Sequence, residues 1–253
     1  MFALVTIGGA ALILLGLSVA TRRPVVRPLD RDGYLDRWSA LHGGYDPRSS
    51  TITGRWLRTT YQVGRPLARV GVRPNLITAG GLVLAAVVVA LAGRPEPERL
   101  GLAALGRLGL AAVAVVGTGV LDGLDGCVAV LTGRATRLGS VIDSVADRVV
   151  DGLYLLALWR VGATAGLGVA AGSAVGLLEY TRARAGVAGM AEIGVVTVAE
   201  RPSRVIVTAL TLAGAGLDVD RAAGIATTGA LLTLVLAVVG LVQLLVVVAR
   251  RLT

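Results

Sequence analysis

Lysine is absent from this 253-residue chain; all 25 of its basic residues are arginine. Chemistry that depends on a lysine amine goes with it: the P-loop lysine, Schiff-base catalysis and the kinase lysine. A single histidine, His42, and a single cysteine, Cys127, leave no intrachain disulfide, no zinc site of the Cys/His type and no histidine-based triad. Charge is scarce as well. Only 16% of residues are charged and 55% are hydrophobic, with a mean hydropathy of +0.76, whereas a soluble domain carries about 25% charged residues. That balance excludes a soluble fold and predicts an all-α integral membrane protein. The net charge of +9 is read as loops facing anionic lipid, with no nucleic-acid partner expected. Exclusive use of arginine suggests a GC-rich bacterial genome, hence a bacterial plasma membrane.

Seven apolar runs stand out, at roughly 2–20, 76–93, 108–130, 139–159, 162–181, 204–217 and 223–249. If Met1 lies outside, the inner side collects 19 arginines and the outer side 5, with Arg148 left inside a span. The positive-inside rule therefore predicts a multi-pass protein with its N-terminus outside and its C-terminus inside. The first run has no basic stretch before it, so residues 1–21 read as an uncleaved transmembrane anchor rather than a signal peptide. Residues 22–53 read as a cytoplasmic linker, irregular over 30–50 where Asp, Gly, Pro and Ser are frequent. From Gly54 onward, Trp56, Leu57, Tyr61, Leu67 and Val70 interleave with Arg55, Arg58, Arg65 and Arg69. This pattern predicts an amphipathic helix on the inner membrane face, its apolar residues in the acyl boundary. Residues 54–253 are expected to form the catalytic domain.

Five of the 16 acidic residues fall within one 30-residue stretch: Asp122, Asp125, Asp143, Asp147 and Asp151. A carboxylate at membrane depth needs a partner, and Arg148 alone cannot match five. Asp122 and Asp125 are spaced i,i+3, while Asp143, Asp147 and Asp151 are spaced i,i+4, so each set shares a helix face. A short turn around 132–138 would make the two helices antiparallel neighbours and bring Asp122, Asp125, Asp143 and Asp147 together near the cytoplasmic surface. All-oxygen ligation suits Mg²⁺ or Mn²⁺, and two ions would balance four carboxylates. Gly123, Gly126, Ala129 and Gly139 leave room beside the ligands. A packed polar cluster and a cation or proton transporter are the competing readings. Transporter sites, however, usually lie near the midplane on broken helices, often in duplicated halves, and no repeat is evident here.

The order Asp122-x2-Asp125-Gly126-x2-Ala129, followed by Gly139-x3-Asp143-x3-Asp147, resembles the signature of the CDP-alcohol phosphotransferases. Arg73-Pro74-Asn75-Leu76-Ile77-Thr78, Asp147-Arg148, Tyr180-Thr181-Arg182-Ala183-Arg184-Ala185 and Glu200-Arg201 also look like the family, over residues 54–250. The resemblance implies a six-helix bundle, here with an N-terminal transmembrane anchor and an interfacial amphipathic helix added, and an active site facing the cytoplasm. It implies transfer of a substituted phosphate, such as phosphatidyl, from a CDP-linked lipid to an alcohol acceptor, with release of CMP in phospholipid biosynthesis. It further implies Asp122, Asp125, Asp143 and Asp147 as ligands of Mg²⁺ or Mn²⁺, Asp147 also as general base, and Gly126, Ala129, Thr136 and Gly139 as nucleotide-binding residues. A homodimer is compatible with it. Since the resemblance starts near Gly54, deletion of residues 1–50 is expected to leave catalysis largely intact.

The family's arginine after the alanine is Val130 here; Arg134 or Arg137, one or two turns on, could substitute. Arg182, Arg184, Arg201 and Arg204 cluster on the inner side, where they would suit a phosphorylated acceptor such as glycerol 3-phosphate or inositol phosphate, or simply obey the positive-inside rule. A non-catalytic or cation-transporting descendant of the same fold is the alternative that the Val130 departure motivates.

Overall fold

In a computed structural model of the chain, residues 27–93, 102–190 and 196–252 are described. The anchor expected at 1–21 lies outside them. Among the described residues there are eight α-helices and no strand: α1 (Arg31–Leu41), α2 (Thr51–Arg69), α3 (Pro74–Leu91), α4 (Leu102–Leu131), α5 (Arg137–Val161), α6 (Ala165–Val187), α7 (Arg201–Leu217) and α8 (Ala222–Leu252). Helices α3 to α8 fall on the six later apolar runs. By length and composition, α3, Leu105–Leu131 of α4 and α8 are apolar enough to cross a membrane. Helices α5 and α6 have 25 and 23 residues, long enough at about 1.5 Å per residue, but their sequences carry the charges discussed below. Helix α7 has only 17 residues.

The chain divides into two compact units, one comprising residues up to Val83 with Thr118–Asp147, the other Leu84–Gly117 with Arg148–Thr253. In the first unit, the segment expected to be irregular contains α1. Asp30 caps that helix, its carboxylate accepting from the Gly33 N–H at 2.9 Å, which satisfies one of the free N–H groups of the first turn. Just before it, the Leu29 N–H donates to the Leu131 carbonyl at 3.1 Å. Tyr34 and Leu35 are 1% and 5% exposed and pack with Leu57, Tyr61, Leu124, Cys127, Val128, Val130 and Leu131. Burial pushes the Tyr34 phenol above its usual pKa range, so it stays neutral.

Helix α2 has two apolar stripes. Leu57, Tyr61, Gly64 and Ala68 face the core, whereas Ile52, Trp56 and Val63, with Val70 just past the helix end, are exposed. Glycine permits the inward packing, since a Cβ at Gly64 would lie 2.8 Å from the Cys127 Sγ. The sequence pattern had assigned Leu57 and Tyr61 to lipid; the close approach of α2 to α4 claims them for the protein core.

Deletion of residues 1–50 is therefore expected to be costly. It removes Tyr34 and Leu35 from a closed cluster, and loss of one buried aromatic alone costs about 3–5 kcal/mol. Thermal unfolding in detergent should give a clearly lower Tm for this truncation than for one lacking only residues 1–26. Equal Tm values would show α1 to be dispensable.

In the second unit α8 packs against α6 and α7. Ala174 and Val175 of α6 meet Ala237, and Leu178 meets Leu244 and Ala199. Gly240 admits the 196–200 segment, as a Cβ there would sit 2.9 Å from that of Ala199. Small residues at such crossings let backbones approach closely.

Candidate metal centre

The turn between α4 and α5 is built from glycine, arginine and threonine. Gly133 takes φ +64°, its N–H donating to the Val130 carbonyl at 3.2 Å while the Arg134 N–H donates to Ala129 at 2.8 Å. This paired arrangement ends a helix on a left-handed glycine and satisfies its last carbonyls. Thr136 then opens α5, its hydroxyl accepting from the Gly139 N–H at 3.0 Å. The chain thus returns after five residues, and the acidic parts of α4 and α5 meet.

Asp122, Asp143 and Asp147 each offer a carboxylate oxygen, and these oxygens all lie within 4.8 Å of one another. All three residues are half-buried. Like charges gathered this closely call for a cation, and a half-exposed all-oxygen donor set suits a hard divalent ion. The residues present fit Mg²⁺ or Mn²⁺. Asp125 is 5% exposed, and its Oδ2 accepts from the Thr78 hydroxyl at 2.5 Å. It stands outside the three-carboxylate group. Thr78 of α3 is a partner that its place in the 73–78 stretch does not reveal, since the contact spans 47 residues of chain.

The small residues divide by environment. Gly126 is exposed, with nothing within 4 Å of where a Cβ would stand, whereas a Cβ at Gly123 would lie 2.5 Å from Trp56 Cζ2. Gly126 thus leaves open space beside the aspartates, while Gly123 makes room for a tryptophan. Ala129 and Gly139 are half-buried and Thr136 is exposed. Val130, where the resembled signature has arginine, is 6% exposed within the cluster around Tyr34. A guanidinium on that side chain would start from an apolar interior.

The second unit holds a separate charge network. Arg204, 5% exposed, pairs through Nε with Asp151 at 3.1 Å and through Nη1 with Glu179 at 3.3 Å, and donates to the Ala199 carbonyl at 2.6 Å. Arg148 bridges Asp151 and Glu179, each at 3.1 Å. Arg182 reaches Glu200 at 2.7 Å. Burial alone would raise the Glu200 pKa, but the Arg182 hydrogen bond and the Thr197 N–H outweigh it and hold the carboxyl below its usual range. Three arginines and three carboxylates balance, which suits charges removed from water. Of the four arginines considered for phosphate, Arg182 and Arg204 lie in this network, Arg184 is exposed, and Arg201 opens α7 half-buried.

A model of the CDP-alcohol phosphatidyltransferase family matches residues 72–252. The chain belongs to this family. As a CDP-alcohol phosphatidyltransferase, it is an enzyme of a class that transfers phosphatidyl groups in phospholipid biosynthesis. It is 29% identical over 170 residues to a phosphatidylinositol phosphate synthase of Mycolicibacterium smegmatis, covering 64% of this chain and 70% of that one. It is 31% identical over 166 residues to an archaetidylinositol phosphate synthase of Aeropyrum pernix, covering 66% and 79%. Among solved structures, the Mycobacterium tuberculosis phosphatidylinositol phosphate synthase with CDP-DAG bound superposes with a TM-score of 0.55 at 27% identity, over 76% of this phosphatidyltransferase and 94% of that chain. The same enzyme in complex with manganese and citrate also gives 0.55 at 27%, over 75% and 88%. The resemblance seen in the aspartate spacing is thereby confirmed at the level of the family.

Proposed function

We propose that this phosphatidyltransferase moves a phosphatidyl group from CDP-diacylglycerol, or a related CDP-linked lipid, to a phosphorylated alcohol, with inositol phosphate the first candidate and glycerol 3-phosphate the second. The observation that carries this reading is the convergence of Asp122, Asp143 and Asp147 on one point. The relatives named for phosphatidylinositol phosphate and archaetidylinositol phosphate support the choice of acceptor, and the neighbours with CDP-DAG and with manganese support donor and metal.

Asp122, Asp125, Asp143 and Asp147 would hold the divalent metal, two ions balancing four carboxylates. When bound, Mg²⁺ or Mn²⁺ neutralises charge on the donor diphosphate and on the departing CMP. Asp147 accepts the proton of the acceptor hydroxyl as that oxygen bonds to the phosphatidyl phosphorus. The bond from that phosphorus to the bridging oxygen breaks, and CMP leaves with the electron pair. Thr78 fixes the Asp125 carboxylate from α3. Gly126, Ala129, Thr136 and Gly139 line the nucleotide site, Gly126 by leaving open space and Thr136 by setting the start of α5. The acceptor's phosphate is assigned to the basic group of Arg182, Arg184, Arg201 and Arg204, of which Arg182 and Arg204 would exchange a carboxylate partner for it.

Helices α3 to α8 are read as the six-helix bundle, preceded by an anchor at 1–21, a segment at 22–53 and the catalytic domain from 54. The exposed Trp56, Val63 and Val70 beside Arg55 and Arg69 support an interfacial α2. The arginine distribution supports a bacterial plasma membrane with the N-terminus outside and the site facing the cytoplasm.

The test uses purified full-length protein with CDP-diacylglycerol, each acceptor, and Mn²⁺ or Mg²⁺, following CMP release. Release is expected with inositol phosphate and should vanish in EDTA. Undiminished turnover in the chelator would remove the metal reading. Metal binding with no CMP release from any acceptor would favour a non-catalytic or cation-transporting descendant.

A further inference from the structure

We infer that Arg134 is a phosphate-binding residue for the CDP-linked donor, held ready in the turn that joins the two aspartate-bearing helices. This rests on the transferase reading above and adds a residue to it. The helix-ending turn at Gly133 commits the Arg134 backbone N–H to Ala129 and leaves the side chain as the variable part. Its Nε and Nη1 are shut off from solvent and have no hydrogen-bond partner among the described residues. Buried guanidinium N–H groups without acceptors are costly, and arginine cannot shed its proton to escape the cost. An anion arriving with the ligand would relieve it. The planar fork of donors suits two phosphate oxygens, and the donor is the diphosphate-bearing substrate of this site.

The two rival positions are placed differently. Val130 is enclosed in the apolar cluster, and Arg137, the first residue of α5, is exposed to solvent. Solvent already satisfies an exposed guanidinium, so Arg137 gains less from a phosphate.

Equilibrium binding of CDP and of cytidine to the purified full-length protein in detergent with Mn²⁺ tests this. Arg134→Gln should weaken CDP binding about tenfold or more, the loss of one charge-assisted hydrogen bond, and leave cytidine binding unchanged. Arg134→Lys should recover part of the loss, and Arg137→Gln should bind CDP like the wild type. The ligand-free Tm of Arg134→Gln should be equal or higher, because two enclosed N–H groups without acceptors have gone. Equal CDP affinity in Arg134→Gln would overturn the assignment. So would a lowered ligand-free Tm with CDP and cytidine weakened alike, which marks a structural residue. Wild-type protein that neither binds CDP nor releases CMP would instead overturn the transferase reading.

Discussion

Asp147→Asn is expected to reduce CMP release to near background. The change keeps the shape of the side chain and removes two functions together. The amide is neutral, so the group formed with Asp122 and Asp143 loses a third of its charge, and it cannot accept the acceptor's proton. General-base catalysis alone contributes about 10²- to 10⁴-fold, and weakened metal retention adds to that. Asp143→Asn removes ligation without touching the proposed base, so excess Mn²⁺ should rescue it in part and fail to rescue Asp147→Asn. Initial rates of CMP release at rising Mn²⁺, with Tm values to confirm folding, separate the two. Full rescue of Asp147→Asn by metal would remove its role as base.

The second large effect is on stability. Arg204→Leu should lower it by about 3–5 kcal/mol, because removing one partner of a buried pair strands the other. Asp151, itself buried, would keep only Arg148, and the Ala199 carbonyl would lose its donor. The double variant Arg204→Leu/Asp151→Leu should recover much of the loss, since it removes the buried carboxylate with its partner and leaves the half-buried Glu179 to Arg148 and Arg182. Unfolding in detergent by heat or denaturant measures both. A double variant no more stable than Arg204→Leu would show that the pair is not the source of the effect.

The cluster of Asp122, Asp143 and Asp147 was legible in the sequence because these residues lie on two consecutive helices, the last two at i,i+4. Face, spacing and a turn already fix such a geometry. Thr78 was not legible, because it meets Asp125 across 47 residues of chain and nothing local marks it as a donor. The pairing of Arg204 with Asp151 and Glu179 failed for the same reason: the positive-inside rule counts arginines without naming their partners. Helix α1 was misread from composition. Its Asp30 cap and the adjacent Tyr34 and Leu35 are local signals, but their weight comes from the pocket that α2 and α4 provide. Val130 belongs to the same lesson, since the motif gives its register and only the packing shows which way it faces.

Trp56 lies over Gly123, the residue next to Asp122, and the chain has only two other tryptophans, Trp38 and Trp159. Trp38 is stacked on His42 with ring centroids 3.8 Å apart, an arrangement that favours quenching of its excited state. Trp56 therefore gives the enzyme an intrinsic fluorophore beside its aspartates. Its emission, isolated by replacing Trp159, can follow the arrival of a cation without any attached dye.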